Sequence, residues 1–582
     1  MTGKLSALID FADPQQPAGP RLRQAFGAPR EVLVARRPEE LRAVLDAAQA
    51  AARQGAWCVG YLRYEAAPAF DAALPVHSAD GPLAWFAVHD TALAWPDPVQ
   101  EASPLLQWQE AMTRPAFEAA LAQLQRAIAD GEYYQVNFTA QMRAALDGDA
   151  GSALALFQAL QRAQPGGYAA LMDTGDEQLL SVSPELFFDW REGRLLTRPM
   201  KGTAPRGVNP KDDAAQAEAL RSSAKERAEN VMIVDLLRND LSRIAEPFSV
   251  RVPRLFHTEA LPAVWQMTSD VEARTRPDCS LADVFAALFP CGSITGAPKV
   301  RAMRAIHALE AGPRGVYCGA MGVLRPGGAA TFNVPIRTVS LRGQEARCGI
   351  GSGITSGSVA QAEWQEWRHK RAFLERASMP FDILETLALD AGQLRHLDAH
   401  LARMAASAAH FGHPWDAAQV DACLRDLVQA HPQGLWRVRL LLAAGGTFSA
   451  QAYGMEPSPP RVRLQLAERP LDAAYSEFVR FKTTRRAHYD AFTPASPEVF
   501  DCVLWNELGE ITECTRGNIA MRMDGRWVTP PLACGLLPGV GRALALREGR
   551  LSEAVVRVDE LARVEAWAFV NSLRGWIDAT LA

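Results

Sequence analysis

Two residues that could act as a nucleophile and an acid each follow an apolar segment of the sequence. Lys201 stands in RPMKGTAPRG after the predicted strand 195–198, and Gly202 allows a sharp turn beside it. Glu185 lies sixteen residues earlier, after the predicted strand 178–182. An amine and a carboxyl group at neighbouring strand ends suit covalent catalysis assisted by an acid. A structural ion pair is the alternative.

Two predicted helices each carry a pair of glutamates spaced three residues apart. The pairs are Glu226 with Glu229 in helix 225–238, and Glu363 with Glu366 in helix 362–375. Positions i and i+3 share one helix face, and carboxylates from two helices suit a hard cation such as Mg²⁺. Ordinary helix solvation is the alternative, because Glu366 precedes Lys370 by four residues, the spacing of a surface ion pair.

Two glycine-rich turns could bind an anion. The turn 290–299 (PCGSITGAPK) leads into the predicted helix 300–310, and 349–357 (GIGSGITSG) follows a predicted strand. Backbone N–H groups at such turns bind anions. Neither turn matches a nucleotide-binding motif, so a carboxylate is the favoured ligand.

The C-terminal part carries a second set of candidates. They are Lys482 after the predicted strand 478–481, Glu513, the turn 535–542 (GLLPGVGR), and Arg403 on the predicted helix 398–411. A lysine, a carboxylate and a phosphate-binding turn are what pyridoxal phosphate (PLP) requires. A surface charge at Arg403 and a loop carboxylate at Glu513 are the alternatives.

Length and element order predict an α+β protein of several parts. At 582 residues the chain is too long for one core. The predicted parts are 1–105, with strands 31–35, 57–64 and 83–89 and helix 38–53; 106–376, where strands and helices alternate; and 381–582, with a hinge at 456–461 between two lobes. Residues 1–105 carry no recognisable chemistry.

Composition excludes several classes of protein. A net charge of −5 and a pI near 6.2 give no electrostatic reason to expect nucleic acid. No apolar run approaches the roughly 20 residues of a membrane span, and the N-terminus lacks a signal-peptide pattern. Nine cysteines without paired spacing indicate reduced thiols. We therefore expect a cytoplasmic protein that binds neither nucleic acid nor membrane.

The first set of motifs closely resembles the chorismate-binding family, which includes anthranilate, isochorismate and aminodeoxychorismate synthases. The matching segments are 134–137 (YQVN), 183–185, 201–203, 225–240, 292–299, 317–320 and 351–353. The resemblance implies a sandwich of two large sheets with helices outside and the site between the sheets. Aminodeoxychorismate synthases carry lysine at the position of Lys201, whereas anthranilate synthases resemble the pattern with alanine there.

The resemblance also implies roles. Lys201 adds to ring C2 of chorismate while Glu185 protonates the departing C4 hydroxyl, and ammonia then adds at C4. Mg²⁺ is held by Glu229 and Glu366, with Glu226 and Glu363 close by or acting through water. The remaining residues expected to hold chorismate are Gly202, Thr203, Tyr317, Arg337, Gly351, Ser352 and Gly353. No glutaminase motif is present, so ammonia is expected from a separate glutaminase subunit.

The second set looks like the class IV (fold type IV) PLP enzymes, through 381–387 (FDILETL), 400–408, 513–520, 536–542 and 569–575. That resemblance implies a two-lobed α/β domain with a Schiff-base lysine at Lys482, a pyridine partner at Glu513, and a phosphate site of Arg403 with the Val540 and Gly541 amides. A homodimer through this domain is a further expectation. Relatives carry an extra strand before the segment that begins at Phe381, which is a departure from the pattern.

The order of the two parts predicts a bifunctional enzyme. If the first half makes 4-amino-4-deoxychorismate, a PLP-dependent second half that removes pyruvate would yield 4-aminobenzoate, a folate precursor. Three alternatives stay open from sequence: an amino-acid transaminase in the second half, a non-catalytic scaffold there, or an anthranilate or 2-amino-2-deoxyisochorismate synthase in the first half.

Overall fold

The chain folds into two compact units, Met1–Met379 and Pro380–Ala582. The computed structural model describes residues 5–16, 19–97, 106–146, 153–205, 210–260, 264–378 and 380–582. Both units combine helices with sheets, which confirms the predicted α+β class. No helix in these ranges has the length and apolar character needed to cross a membrane.

The first unit is built from strands and helices that alternate along the chain. Its strands are β1 (Ala7–Phe11), β2 (Leu22–Phe26), β3 (Glu31–Ala35), β4 (Trp57–Leu62), β5 (Ala84–His89), β6 (Gln135–Ala145), β7 (Tyr168–Asp173), β8 (Gln178–Ser183), β9 (Leu186–Arg191), β10 (Arg194–Arg198), β11 (Met200–Pro205), β12 (Arg251–Ala260), β13 (Val264–Arg274), β14 (Gly296–Ala297), β15 (Ala320–Leu324), β16 (Ala330–Asn333), β17 (Thr338–Arg342) and β18 (Glu345–Ile354). Its helices are α1 (Leu41–Arg53), α2 (Arg114–Ala129), α3 (Ala153–Ala163), α4 (Pro210–Ser222), α5 (Ala224–Ser242), α6 (Leu281–Leu288), α7 (Lys299–Leu309) and α8 (Ala360–Ser378).

These strands form two large sheets that pack face to face. One sheet has the order β14-β6-β18-β17-β8-β7-β1-β2, and the other has the order β11-β13-β10-β9-β16-β15-β4-β5-β3, with β12 also paired to β13. Ile9 of β1 and Val59 of β4 belong to one apolar cluster between the sheets. Their neighbours Leu8 and Cys58 point outward, into clusters formed with the helices. Alternate residues of a strand face opposite sides, so each sheet buries both faces.

Helices cover both outer faces of this sandwich. The cluster that contains Leu8 includes apolar residues of α2, α3 and α8, and the cluster that contains Cys58 includes residues of α1, α5 and α6. The two helices predicted to carry the glutamates are therefore present, as α5 and α8, on opposite sides of the sandwich core. Ser223 caps α5 by accepting a hydrogen bond from the Glu226 backbone N–H, which fixes where the first glutamate lies on the helix.

The second unit contains two further sheets. Its strands are β19 (Ile383–Asp390), β20 (Gln393–Leu394), β21 (Leu435–Leu442), β22 (Phe448–Gly454), β23 (Arg461–Leu466), β24 (Asp501–Trp505), β25 (Ile511–Cys514), β26 (Asn518–Met523), β27 (Arg526–Thr529), β28 (Ser552–Glu553), β29 (Ala566–Asn571) and β30 (Gly575–Leu581). Its helices are α9 (Leu397–Phe411), α10 (Ala417–Ala430), α11 (Glu477–Arg480), α12 (Ala487–Asp490) and α13 (Val540–Arg547). The sheet orders are β20-β19-β21-β22 and β25-β24-β23-β30-β29-β26-β27-β28, so the change of sheet falls at the predicted hinge 456–461.

The prediction of a strand at 478–481 is wrong. Glu477–Arg480 is one turn of helix, α11, because Ser476 accepts a hydrogen bond from the Phe478 N–H and caps it. The chain becomes extended only afterwards, where Lys482 O accepts from the Leu384 N–H at 2.9 Å. Lys482 therefore lies against the start of β19.

Candidate active sites

Lys201 lies in a β-bulge of β11. The register between β11 and β13 shifts between Met200 and Thr203, so Lys201 and Gly202 together face one residue of β13. A bulge bends its strand and re-aims a side chain. Gly202 has φ +85°, and a Cβ there would lie 2.9 Å from Glu226 Oε2, so only glycine suits the position.

Lys201 and Glu185 meet at Ser293. The Lys201 amine donates to the Ser293 carbonyl oxygen at 3.2 Å. The Ser293 hydroxyl donates to Glu185 Oε1 at 2.6 Å. The two predicted reactive residues thus share one neighbour, which lies in a short 3₁₀ turn, Gly292–Ile294, of the first glycine-rich segment.

The environment of Glu185 favours a protonated carboxyl group. Its side chain is buried, and burial raises its pKa above the usual value, while the Ser293 hydroxyl and the charge of Lys201 act in the opposite direction. A carboxylic acid that keeps its proton near neutral pH is what general acid catalysis needs.

The glutamates of α5 are close to Lys201 and lack protein partners. Burial raises the pKa of Glu226, and the charge of Glu366 adds to the rise. Burial also raises the pKa of Glu229, and Lys201 opposes it. Neither carboxylate forms a hydrogen bond or ion pair with another side chain in the ranges that the structure describes. Carboxylates without a cation are the groups that a metal ion would stabilise.

The glutamates of α8 are engaged by neighbours. Glu363 accepts hydrogen bonds from the hydroxyls of Ser352 and Ser358, both at 2.7 Å. Against the desolvation that raises it, the ion pair with Lys370 at 2.7 Å holds the pKa of Glu366 below its usual value. Within the described residues, no three His, Cys, Asp or Glu side chains are arranged to hold a metal ion. The magnesium site therefore stays a prediction.

Arg337 is a cation without an anion. Burial and the charge of Arg376 lower its pKa to about 10, and no carboxylate pairs with it in the described part of the chain. Tyr317, also expected to contact substrate, is buried, and its ring packs directly on the backbone of Gly349, where a Cβ would lie 2.3 Å from the ring. A partly buried guanidinium of this kind suits a substrate carboxylate.

The strand that carries Gly351–Gly353 has one uncovered edge. β18 pairs with β6 from Glu345 to Ile354, but its ladder with β17 ends at Cys348. The Ser352 hydroxyl is already used, because it donates to Glu363 and accepts from Trp367 Nε1 at 3.1 Å. The Gly351 carbonyl oxygen also accepts from Lys370 Nζ at 2.9 Å. The backbone N–H groups of this segment, more than that carbonyl or the serine side chain, are therefore available to a ligand.

The sequence did not reveal Gln135 as a site residue. Its side chain is fully buried, and neither the amide nitrogen nor the amide oxygen has a hydrogen-bond partner among the residues that the structure describes. A Cβ on Gly353 would lie 2.3 Å from its Nε2 and 3.3 Å from Lys201 Nζ, so the unpartnered amide lies beside the lysine. An unsatisfied buried amide is costly, which points to a ligand that completes it. The only signal was its place in the matching segment YQVN.

Lys482 has the properties of a reactive lysine. Burial, together with the charges of Arg486 and Arg403, lowers its pKa to about 7. Its backbone is fixed against β19, since Ile383 bridges Thr483 and the Thr484 N–H donates to Asp382 O at 2.9 Å. This pairing covers the beginning of β19, where the sequence departs from the family pattern.

Glu513 is held from both sides in the same neighbourhood. Its Oε1 accepts from the Tyr489 hydroxyl at 2.6 Å, and its Oε2 accepts from the Leu537 N–H at 3.1 Å. Burial raises its pKa to about 8 in spite of these donors and of Lys482. A fixed, buried carboxyl group of this kind can face a ring nitrogen.

The turn predicted to bind phosphate lies beside Arg403. The guanidinium is fixed by Glu385, which accepts from Nε and Nη2 at 2.7 Å each, and it also donates to Pro538 O at 3.1 Å. Helix α13 begins two residues later with Val540 and Gly541. A Cβ on Gly541 would lie 2.6 Å from the Asn571 backbone, so the turn is closed to side chains there. The residues present therefore fit PLP.

The family of the first unit follows from comparison with known proteins. Residues 15–376 match the chorismate binding enzyme family, which is more than half of the chain. The chain belongs to the chorismate binding enzyme family. Residues 382–581 match the class IV amino-transferase family, so a class IV aminotransferase domain follows the chorismate-binding part.

Several curated relatives of the chorismate-binding part are named aminodeoxychorismate synthase, and others are named anthranilate synthase component 1. The chain is 42% identical over 259 residues to aminodeoxychorismate synthase component 1 of Salmonella typhimurium, which covers 44% of this chain and 56% of the relative. It is 44% identical over 253 residues to aminodeoxychorismate synthase of Streptomyces griseus, covering 43% of this chain and 35% of the relative. The chain thus spans about half, or less, of the length of the relatives it matches.

A solved structure shows the chorismate-binding fold as well. Anthranilate synthase component I from Streptococcus pneumoniae superimposes with a TM-score of 0.51 at 24% identity, over 64% of this chain and 92% of that one. At this identity the likeness concerns the fold alone. It agrees with the two-sheet sandwich that the sequence resemblance implied.

Proposed function

We propose that the first unit replaces the C4 hydroxyl of chorismate by an amino group and so forms 4-amino-4-deoxychorismate. The observation that carries the proposal is the convergence of Lys201 and Glu185 on Ser293. The 42% identity to a relative named aminodeoxychorismate synthase component 1 supports the same reaction. Alanine at position 201 would have favoured an anthranilate synthase.

The chemistry divides between the two residues. The Lys201 amine forms a bond to ring C2, the two ring double bonds shift, and the C4–O bond breaks. Glu185 gives its proton to the departing oxygen, which leaves as water. Ammonia then bonds to C4, the double bonds shift back, and the C2–N bond to Lys201 breaks. Burial raises the pKa of Glu185, which favours its role as the proton donor in this step.

We assign substrate binding to polar groups that lack a partner among the described residues. Arg337 would pair with one carboxylate, and Gln135 would complete its hydrogen bonds with the ligand. The other chorismate contacts proposed are Gly202, Thr203, Tyr317, Gly351, Ser352 and Gly353. The Thr203 hydroxyl currently donates to Gln266 at 3.1 Å, so its contribution would come from the backbone or after a rotation.

Mg²⁺ fits the chemistry of the glutamates. Their oxygens are hard ligands, and Glu226 and Glu229 have raised pKa values and form no ion pair with a lysine or arginine among the described residues. Glu229 and Glu366 would hold the ion, with Glu226 and Glu363 nearby or acting through water. The ion would supply positive charge for a substrate carboxylate. Ammonia would come from a separate glutaminase subunit.

For the second unit we propose elimination of pyruvate from 4-amino-4-deoxychorismate to give 4-aminobenzoate. PLP, when bound, supplies an electron sink for the bonds that break. Lys482, with a pKa near 7, would take the C4 proton as the ring becomes aromatic. Glu513 would face the pyridine nitrogen, and Arg403 with the Val540 and Gly541 amides would hold the phosphate. The support is the order of the two domains in one chain.

Arg486 is available for a substrate carboxylate in this unit. Its guanidinium donates to Thr515 O at 2.5 Å and packs on the ring of Tyr489, whose hydroxyl binds Glu513. No carboxylate pairs with it among the residues described. It also acts electrostatically on Lys482, so it lies near the proposed reaction centre.

A product assay tests both proposals. The full chain is incubated with chorismate, ammonium, Mg²⁺ and PLP, and products are separated and identified by mass. We expect 4-aminobenzoate and pyruvate, with Lys482→Ala stopping at 4-amino-4-deoxychorismate. Lys201→Arg, which keeps the charge but not the nucleophile, should form no aminated product.

Other products would contradict one proposal or the other. Anthranilate would show that the interpretation of Lys201 is wrong. Accumulation of 4-amino-4-deoxychorismate by the wild-type protein would exclude the lyase. In that case, supplying a keto acid together with an amino acid tests the second unit for transamination, and inactivity there leaves a scaffold.

A further inference from the structure

Ser293 is the residue through which the proposed acid and the proposed nucleophile are connected. Its hydroxyl contacts Glu185, and its carbonyl oxygen contacts Lys201. A third group, Cys291 Sγ, lies 3.2 Å from the Ser293 hydroxyl oxygen. Ser293, Cys291 and Glu185 are all buried, at 3–4% exposure, so the contacts between them form an internal chain.

The direction of these hydrogen bonds follows from which groups have a proton to donate. Burial raises the pKa of the Cys291 thiol to about 12, so the thiol keeps its proton near neutral pH and can donate to the Ser293 oxygen. A hydroxyl has one proton to give, and Ser293 gives it to Glu185 Oε1. Donation therefore runs from Cys291 through Ser293 to the carboxyl group.

We propose that Ser293 is a positioning residue that decides which oxygen of Glu185 carries the transferable proton. This inference rests on the proposed function. Because Oε1 accepts from Ser293, the acidic proton lies on Oε2. In the first step that proton moves from Oε2 to the C4 oxygen as the C4–O bond breaks and the Lys201 nitrogen bonds to C2. The carbonyl of the same residue holds the Lys201 amine, so acid and nucleophile keep one relative position.

Removing the Ser293 hydroxyl abolishes the contact with Glu185 and keeps the contact with Lys201. In Ser293→Ala the main-chain carbonyl still binds Lys201, but the Glu185 proton is free to occupy either oxygen. We expect kcat for amination to fall about 10- to 100-fold, which is part of the roughly 10²- to 10⁴-fold that a general acid contributes. KM for chorismate should stay within about twofold, because the hydroxyl is already used inside the protein and does not bind substrate.

The pH dependence gives a readout that a merely structural defect would not reproduce. A hydrogen bond donated to a carboxylate favours its charged form, so losing it raises the pKa of Glu185. The alkaline limb of the kcat profile should then move to higher pH in Ser293→Ala. The other charged or titratable groups that act on Glu185, namely Lys201, Lys370, Cys291 and Cys318, are unchanged in this variant.

Two further variants complete the experiment. Ser293→Thr restores a hydroxyl and should recover most of kcat, and Cys291→Ser keeps a donor and should stay near the wild type. All are made in the full chain and assayed with chorismate, ammonium and Mg²⁺, with circular dichroism to confirm folding. If Ser293→Thr does not fold, Cys291→Ala, which removes only the first donor, should still lower kcat a few-fold without a change in KM.

The outcomes separate this inference from the function on which it rests. A wild-type protein that forms no aminated chorismate overturns both. An active wild type with Ser293→Ala of equal kcat, or with a raised KM at unchanged kcat, overturns the role of Ser293 alone. A lowered kcat with constant KM, a shifted alkaline limb and recovery in Ser293→Thr supports it.

Discussion

Glu385 fixes the position of Arg403, the arginine that we propose binds phosphate in the second unit. The buried carboxylate accepts two hydrogen bonds from Arg403 and one from His400 Nδ1, each at 2.7 Å. Burial raises its pKa, but Arg403 and His400 outweigh burial and lower it from 4.5 to about 2. At about 1.4 kcal/mol per pKa unit, the carboxylate contributes about 3 kcal/mol to stability.

The sign of this pKa shift determines the pH range in which the carboxylate stabilises the fold. A carboxyl group with a depressed pKa in the folded state stabilises the fold above its unfolded pKa, near 4.5, and loses that contribution as pH falls through about 2. Near pH 7 the contribution is complete. Glu385→Gln should therefore destabilise the second unit by about 3 kcal/mol at pH 7, which agrees with the roughly 3–5 kcal/mol cost of breaking a buried ion pair.

Hydrogen exchange measured by mass spectrometry on the full chain can report this loss locally. Amides of β19 and α9 should exchange about 100-fold faster in Glu385→Gln, since 1.4 kcal/mol is a factor of ten. PLP should also bind more weakly, because Arg403 loses its fixed orientation. Glu498→Gln is the matched control: this exposed carboxylate is 3.6 Å from Arg463, and its loss should change exchange less than about threefold. Unchanged exchange in β19 and α9 of Glu385→Gln would refute the argument.

Three further predictions concern the two sites. Gln135→Met should keep or raise the melting temperature while lowering kcat/KM for chorismate at least about tenfold, because a buried amide without partners costs about 1–3 kcal/mol; a lower melting temperature would speak against a ligand-facing role. The rate of PLP uptake by apo-protein, followed by fluorescence, should rise through about pH 7 and then level off, since Lys482 loses its proton there; a continued rise to pH 10 would indicate an ordinary lysine. EDTA should stop ammonia-dependent chorismate consumption, Mg²⁺ should restore it, and pyruvate release from supplied 4-amino-4-deoxychorismate should persist.

Local sequence pattern predicted the elements that carry the sites. The helices with the glutamate pairs, the strands before Glu185 and Lys201, and the helix with Arg403 are present with ends shifted by a few residues. The formation of these elements depends mainly on residue types that lie close together in the chain. The prediction of a strand before Lys482 was wrong. Ser476 caps a single helical turn there through a short-range hydrogen bond.

Motif resemblance also identified the residues that meet, but not how they meet. The sequence placed Lys201 and Glu185 at strand ends, and the structure connects them through Ser293, more than ninety residues further along the chain. No pattern along the chain marks Gln135 as unpartnered, because satisfaction of a buried amide depends on every residue that packs around it. The same holds for Arg337, whose pKa is lowered by burial and by the charge of Arg376.

The sequence by itself determined the class of fold, the order of the two domains and the set of candidate reactive side chains, because residue type and local spacing are properties of the chain. Only the tertiary structure decided which groups share a hydrogen bond, which charged groups lack an ion-pair partner among the described residues, and that Lys201, in a bulge of β11, contacts Ser293. Those properties depend on distances between residues far apart in the chain, and on the water that packing removes from around them.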